Sequence, residues 1–403
     1  MDTTDLSSRI RLLAVVSWFK WQHIDYLAAL AETFDLTVAW AGEAHQGAVA
    51  HAISRGLRLC SLGRAEDDGL KTVRDRLSEI VIEYQPDVVH VMYYFHEQLV
   101  LLAREVARQK TLIVFECRDP LTTLLAPNLR SMCRRIEELA LRASDAQIFV
   151  SAALRNYYES LHGLSLADTS IVIPHAFAQR NAGAVARKLS LDDGKIHLAL
   201  VGTADPFPDR GRWYGDIIRR LVGIGFVVHS HFHEMEGISL APYRELDTGL
   251  ENYHFHPAVS FMDGTLLSET ISRYDLLGVF YELEAREKNE SATLAVCMPA
   301  KAACGWFHGA IPVVCFPHYR GLAHWINELG IGFVVAGWDD LRGLRENSAM
   351  ISKATERCIA VRHMFSNEWN ASRIEKFVKD RLAHKIRSIG LRPSAKPTQL
   401  RSL

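Results

Sequence analysis

MPAKAACGWFHGAIPVVCFPHYRGLAHWINELGIGFVV, from Met298 to Val335, reads as helix, tight turn, buried strand, loop, second helix, turn and second strand. That succession is the repeating unit of an open parallel sheet. Gly309 and Pro312 bound the turn into Val313, Val314, Cys315 and Phe316, a continuous apolar run suited to a strand covered on both faces. Lys301 stands at the start of the first helix, where an anion is already favoured by the helix N-terminus. The loop Pro317 to Gly321 then falls at the carboxyl end of the strand, the position at which open α/β sheets bind ligands.

Working outward, the same alternation of apolar runs and amphipathic stretches extends over most of the chain. It begins with strands at Ile10 to Ser17, Leu36 to Ala41, Leu57 to Leu62 and Asp87 to Tyr93, each followed by a helical stretch. It continues with strands at Leu112 to Glu116, Gln147 to Ser151 and Ser170 to Pro174. From Ala178 to Lys195 the residues are polar and small and show no period, so 178–195 is read as a linker. A second cycle starts at Ile196 to Val201, with strands also at Phe226 to His231, Tyr253 to Phe255 and Leu276 to Phe280. Strands separated by helices imply right-handed crossovers and parallel sheets. The expected fold class is α/β, with two Rossmann-like doubly wound parallel-sheet domains facing each other across a cleft. The expected boundaries are a flexible N-terminus at 1–9, a first domain at 10–177, the linker, and a second domain at 196–362. A helix at 363–386 would cross back to the first domain, and the Pro- and Arg-containing tail 387–403 is expected to be disordered.

The 403 residues suffice for two domains with full cores. Hydrophobic residues at 48% and charged residues at 23% are ordinary for a globular chain, and a formal net charge of -1 gives no global field for nucleic acid. The seven cysteines are odd in number, form no CxxC pair and mostly lie in apolar segments, which fits reduced thiols in a cytoplasmic protein. The run Leu12 to Phe19 is too short to cross a bilayer, so membrane contact is expected to be peripheral at most.

Four stretches narrow the choice: LALVGTADPFPDRG (198–211), NYHFHPAVSF (252–261), YDLLGVFYE (274–282), and PAKAACGWFHGAIPVV with RGLAHWINELGIGFVV (299–335). In order and spacing they resemble the donor-binding half of GT-B glycosyltransferases, most nearly family four, the nucleotide-sugar-dependent retaining enzymes. The first domain resembles them in architecture and in IVIPHAF (171–177). The resemblance implies transfer of a sugar from a nucleotide-diphosphate sugar, with no metal and no cofactor beyond that co-substrate, to a small-molecule, lipid-linked or glycan acceptor, within carbohydrate biosynthesis. It implies donor-binding roles for Gly202 and Thr203, for Arg210 at the family's lysine-glycine position, and for Lys301 in the P-x-K helix start. It further implies His256 in the base-holding segment, Glu282 beside the sugar, and Gly321 at the turn bordering it. The physical chemistry is compatible, since a diphosphate needs backbone amides and cations and a base needs a flat slot.

The chain also departs from that pattern. The glutamates Glu282 and Glu290 have the family's spacing, yet the second should lie shortly before Pro312, where Cys304 and Gly305 stand. Thr203 replaces an expected arginine. In the first domain, Arg118 and Asp119 occupy the place of a histidine-aspartate pair, with Glu116 nearby. Asp119, Arg118 and His96 are the candidate catalytic residues, for proton acceptance and anion stabilisation. His175 lies at the hinge, placed to hydrogen-bond backbone. His229, His231 and His233 alternate and would share one strand face, with His254 and His256 close by, a pattern also compatible with a metallohydrolase. The losses leave two further readings open: a nucleotide-sugar epimerase or transferase-like coupling enzyme, and a catalytically silent nucleotide-sugar binding protein.

Overall fold

The computed structural model describes residues 9–92, 97–124, 127–207, 212–234, 239–260, 263–280 and 293–390. Two parallel sheets organise it. The first contains β1 (Arg11–Val16), β2 (Asp35–Ala41), β3 (Arg58–Gly63), β4 (Val88–Met92), β5 (Leu112–Cys117), β6 (Ala146–Phe149) and β7 (Ser170–Val172), in the order β3-β2-β1-β4-β5-β6-β7. The second contains β8 (His197–Thr203), β9 (Val227–His233), β10 (Tyr253–His256), β11 (Leu276–Val279), β12 (Val313–Cys315) and β13 (Gly332–Val334), in the order β10-β9-β8-β11-β12-β13. Both are doubly wound, and the order reverses beside β1 in the first sheet and beside β8 in the second. Crevices open at the carboxyl ends of such strands.

The central strands earn their places by composition. Residues Leu12 to Val16 of β1, and all of β4 and β5, are buried, as strands covered by helices on both faces must be. Glu116 and His90 stand within those apolar runs, and each is 1% exposed.

Several elements differ from expectation. A helix, Ala241–Gly249, intervenes between β9 and β10, started by a proline in its first turn and anchored by buried Tyr243. The long C-terminal helical region divides into Trp338–Arg345, Ser348–Val361 and Asn367–Gly390, with a 3-10 turn at Arg362–Phe365. The last of these extends to Gly390, past the expected start of the tail. In the opening stretch the helix Ala300–Cys304 continues as one π-helical turn, Gly305–Gly309. The left-handed residue that then redirects the chain is Ala310 rather than Gly309. Gly309 serves packing instead, because a Cβ there would lie 2.8 Å from Ile271 Cγ2.

The domains join through two crossing segments. Phe177 N donates to Phe365 O at 3.0 Å and Asn367 N donates to Phe177 O at 2.8 Å, so the outgoing and returning chains are hydrogen-bonded to each other. The final helix then lies on the first domain, where Ala371, Ile374 and Val378 join its core. The expected linker is not loose along its length. Lys188 Nζ donates to Ser272 O and Tyr274 O at 2.9 and 2.7 Å, binding it to the second domain. All seven cysteines are free thiols. Among the described residues no helix is long and apolar enough to cross a membrane.

Candidate functional site

A cavity of about 650 Å³ lies between the carboxyl ends of the two sheets, within the size range of small-molecule sites. Its second-domain wall starts at the end of β8. Gly202 has φ +110, a conformation that favours glycine, and a Cβ there would meet Lys301 Cε and Nζ at 3.3 Å. The lysine ammonium therefore rests against bare backbone at the strand end. Lys301 Nζ donates to Tyr214 OH at 2.9 Å, and the ring centroid is 5.3 Å away. Tyr214 is itself buried, its N–H donating to Tyr243 OH at 3.0 Å. Thr203, Arg212, His233 and Val259 also face the cavity. Cys304, on the same wall, is a neutral thiol whose pKa burial pushes up to about 12.

The first-domain wall is built on a buried carboxylate. Arg118 Nε and Nη2 approach Glu116 Oε1 at 2.7 and 2.5 Å, Tyr26 OH donates to Glu116 Oε2 at 3.0 Å, and His90 Nε2 lies 2.9 Å from Oε2. Burial alone would raise the Glu116 pKa, but Arg118 and His90 outweigh it and hold the carboxyl well below the usual range. The third Arg118 nitrogen, Nη1, is 2.7 Å from His175 Nδ1. Burial, then Arg118, press the His175 pKa down to about 3, so the imidazole is neutral. His23, also buried, is likewise pushed down by burial and next by Arg118.

Asp119 faces the cavity and abuts Cys297, whose pKa rises through burial and then the Asp119 charge. Cys297 Sγ in turn donates to Arg118 O at 3.1 Å, tying the two walls together. Thr123 to Thr293 and Ser151 to the Val296 carbonyl add hydrogen bonds across the same junction.

Of the expected site residues, Asp119, Arg118, Gly202, Thr203 and Lys301 meet at this cavity. His96, Arg210 and Glu282 lie outside the described residues, as do Phe261 and Glu290. Two others stand one layer back. His256 Nε2 is 2.9 Å from His229 Nδ1, inside a stack of imidazoles, because parallel register sets β10 His256 beside β9 His231. Gly321 is buried, and a Cβ there would collide with the Val296 and Cys297 carbonyls, so this glycine lets a helix approach the backbone that lines the cavity.

The alternating histidines do share a face, but the nitrogens of His229 are engaged with neighbouring imidazoles and those of His231 with the Tyr274 hydroxyl and the Pro257 carbonyl. His197 Nδ1 is 2.9 Å from His229 Nε2, and His231 Nε2 is 2.8 Å from Tyr274 OH. Among the described residues no group of three or more His, Cys, Asp or Glu is arranged to hold a metal ion. Sequence reasoning places Glu116 near Arg118 and Asp119 without giving it a role, and it does not find His90, Tyr214 or Cys297. A single charged residue within LIVFEC, and a histidine within VVHVM, were the available signals, since buried strands otherwise exclude them.

No protein-family model matches the chain, and no curated protein sequence matches it. Solved structures do. Anabaena HepE, determined with UDP, superposes with a TM-score of 0.66 at 14% identity, covering 92% of this chain and 100% of HepE. Sucrose-phosphate synthase from Thermosynechococcus elongatus gives 0.62 at 11% identity, with coverages of 93% and 100%. The lipopolysaccharide outer core galactosyltransferase WaaB gives 0.61 at 11% identity, with coverages of 92% and 100%. The fold is GT-B.

Proposed function

We propose that this protein is a glycosyltransferase that moves a sugar from a nucleotide-diphosphate sugar to an acceptor held mainly by the first domain. The observation that carries the reading is Lys301 against Gly202, an ammonium beside exposed backbone at a β-strand end, facing a cavity walled by both domains. A diphosphate leaving group is stabilised by such a cation in a water-poor site. Anabaena HepE was solved with UDP and with UDP-glucose, which favours a nucleotide sugar as the ligand. Fold likeness by itself would not select the chemistry.

In this reading Lys301, with Arg212 beside it and Arg210 as a further cation, binds the diphosphate and compensates charge as the glycosidic bond breaks. Tyr214 holds the lysine in position. Asp119, at the opposite wall, receives an acceptor hydroxyl, and Arg118 orients groups rather than supplying free charge, since Glu116 neutralises it. Retention at the anomeric carbon and independence of metal are part of the proposal, as are a cytoplasmic location and the boundary of the donor domain near residue 196.

Incubation with a panel of nucleotide sugars tests it. Release of free nucleoside diphosphate, slow with water and faster with an acceptor, is the expected result. Recovery of an epimerised donor would make the protein an epimerase, and binding without turnover would make it a silent binding protein. Either outcome overturns the transferase reading.

A further inference from the structure

Resting on the transferase reading, one residue of the cavity takes a role that neither its position at the hinge nor the family pattern assigns. Arg118 is a fork with three engaged nitrogens: Nε and Nη2 meet Glu116, and Nη1 meets His175 Nδ1 at 2.7 Å. A guanidinium carries only donors and does not give up a proton, so His175 Nδ1 must accept. The ring proton then sits on Nε2. That nitrogen has no hydrogen-bond partner among the described residues, and the ring lines the cavity. His175 is carried on the crossing segment, which Asn370 Nδ2 fixes by donating to Pro174 O at 3.0 Å.

We propose that His175 is a hydrogen-bond donor of the site, its Nε2–H meeting a hydroxyl of the transferred sugar, with its tautomer set by Arg118 and Arg118 set by Glu116. A ring fixed this way cannot act as a general base through Nε2, because that nitrogen already bears the proton. It polarises without charge, as neutral imidazoles do where a cation would be mismatched to the ligand. The assignment to the sugar rests on the shared cavity: Lys301 and Gly202 are the diphosphate end in the transferase reading, and His175 lines the same cavity from the crossing segment. The charged groups facing the ring are Arg118 and, behind it, Glu116, while Asn367 and Asn370 of the returning helix are neutral.

The test uses His175→Leu, which removes the donor, and His175→Gln, whose amide retains both an acceptor for Arg118 and a donor. With the nucleotide sugar selected by the panel, kcat/KM is expected to fall roughly tenfold in His175→Leu and to recover most of that loss in His175→Gln. Affinity for the nucleoside diphosphate alone, measured by calorimetry, is expected to stay unchanged in both, which also reports that they are folded. Wild-type turnover in His175→Leu, equal impairment in both variants, or parallel loss of diphosphate affinity would overturn the proposal. Nitrogen-15 NMR of the wild-type imidazole is a second arm, independent of turnover: a neutral ring protonated on Nε2 from pH 8 to 5 is expected, and a charged ring or the Nδ1–H tautomer in that range would overturn it. If the panel selects no nucleotide sugar, the transferase reading fails and with it the sugar contact, whereas the NMR result alone decides the tautomer.

Discussion

Removing the charge of Glu116 takes away a buried carboxylate that receives two Arg118 contacts and the Tyr26 hydroxyl. Breaking a buried ion pair on one side costs about 3 kcal/mol. Glu116→Gln is therefore expected to lose about that much stability in urea denaturation at pH 7. The sign with pH is definite. A carboxyl held below its unfolded value contributes stability above the ordinary carboxylate pKa and loses it as pH falls, so the difference between wild type and Glu116→Gln should shrink toward acid. Equal stabilities at neutral pH would contradict this picture of the first-domain wall. At this scale, the sequence exposed residues whose meaning is local. Lys301 at a helix start and Gly202 at a strand end follow from spacing alone. The partners Tyr214 for Lys301, and His90, Tyr26 and His175 around Arg118 and Glu116, come from distant segments that no local pattern connects.

Among elements, the histidine stack of β8, β9 and β10 is sensitive to acid. Burial, chiefly, lowers His231 to about 4 and His229 to about 2, so both are neutral in the folded chain, whereas an unfolded imidazole titrates near 6.5. The stability they permit is complete above about pH 6.5 and is lost as pH falls toward their folded values. Each accounts for about 2 kcal/mol between pH 6.5 and pH 5, at about 1.4 kcal/mol per unit. The expected result is a steep fall in the denaturation midpoint of the second domain over that interval, flattened in a His229→Gln, His231→Gln double variant. A flat profile in wild type would refute the neutral stack. Gly321 gives a second prediction at this level. Gly321→Ala should destabilise by about 2 kcal/mol, because the methyl must displace backbone carbonyls rather than a flexible side chain. Thermal unfolding measures it, and an unchanged midpoint would count against the close approach. Strands and most helices were legible from alternating periods. The helix Ala241–Gly249 was missed because its short amphipathic run sits between two strand signals, although a proline at its start was a usable cue.

For the whole molecule, the two crossing segments make the C-terminal helix a structural part of the first domain. Truncation after Phe365 would remove Ala371, Ile374 and Val378 from that core, a loss of roughly 4 kcal/mol at the usual value for buried side chains. The truncated chain is expected to unfold earlier in its first domain by calorimetry, with the second domain little affected, and an unaltered first transition would contradict the packing. The two-domain architecture was readable because each sheet repeats one local pattern, while the site between the domains depends on the closed arrangement, fixed by contacts such as Cys297 to the Arg118 carbonyl. What that arrangement is for rests on whether the cavity takes a nucleoside diphosphate against Lys301. Isothermal titration of nucleoside diphosphates into wild type and Lys301→Ala addresses this directly. One of them should bind the wild-type protein, with affinity at least about tenfold weaker in Lys301→Ala. Failure of every diphosphate to bind, or equal affinity in the two proteins, would contradict the account.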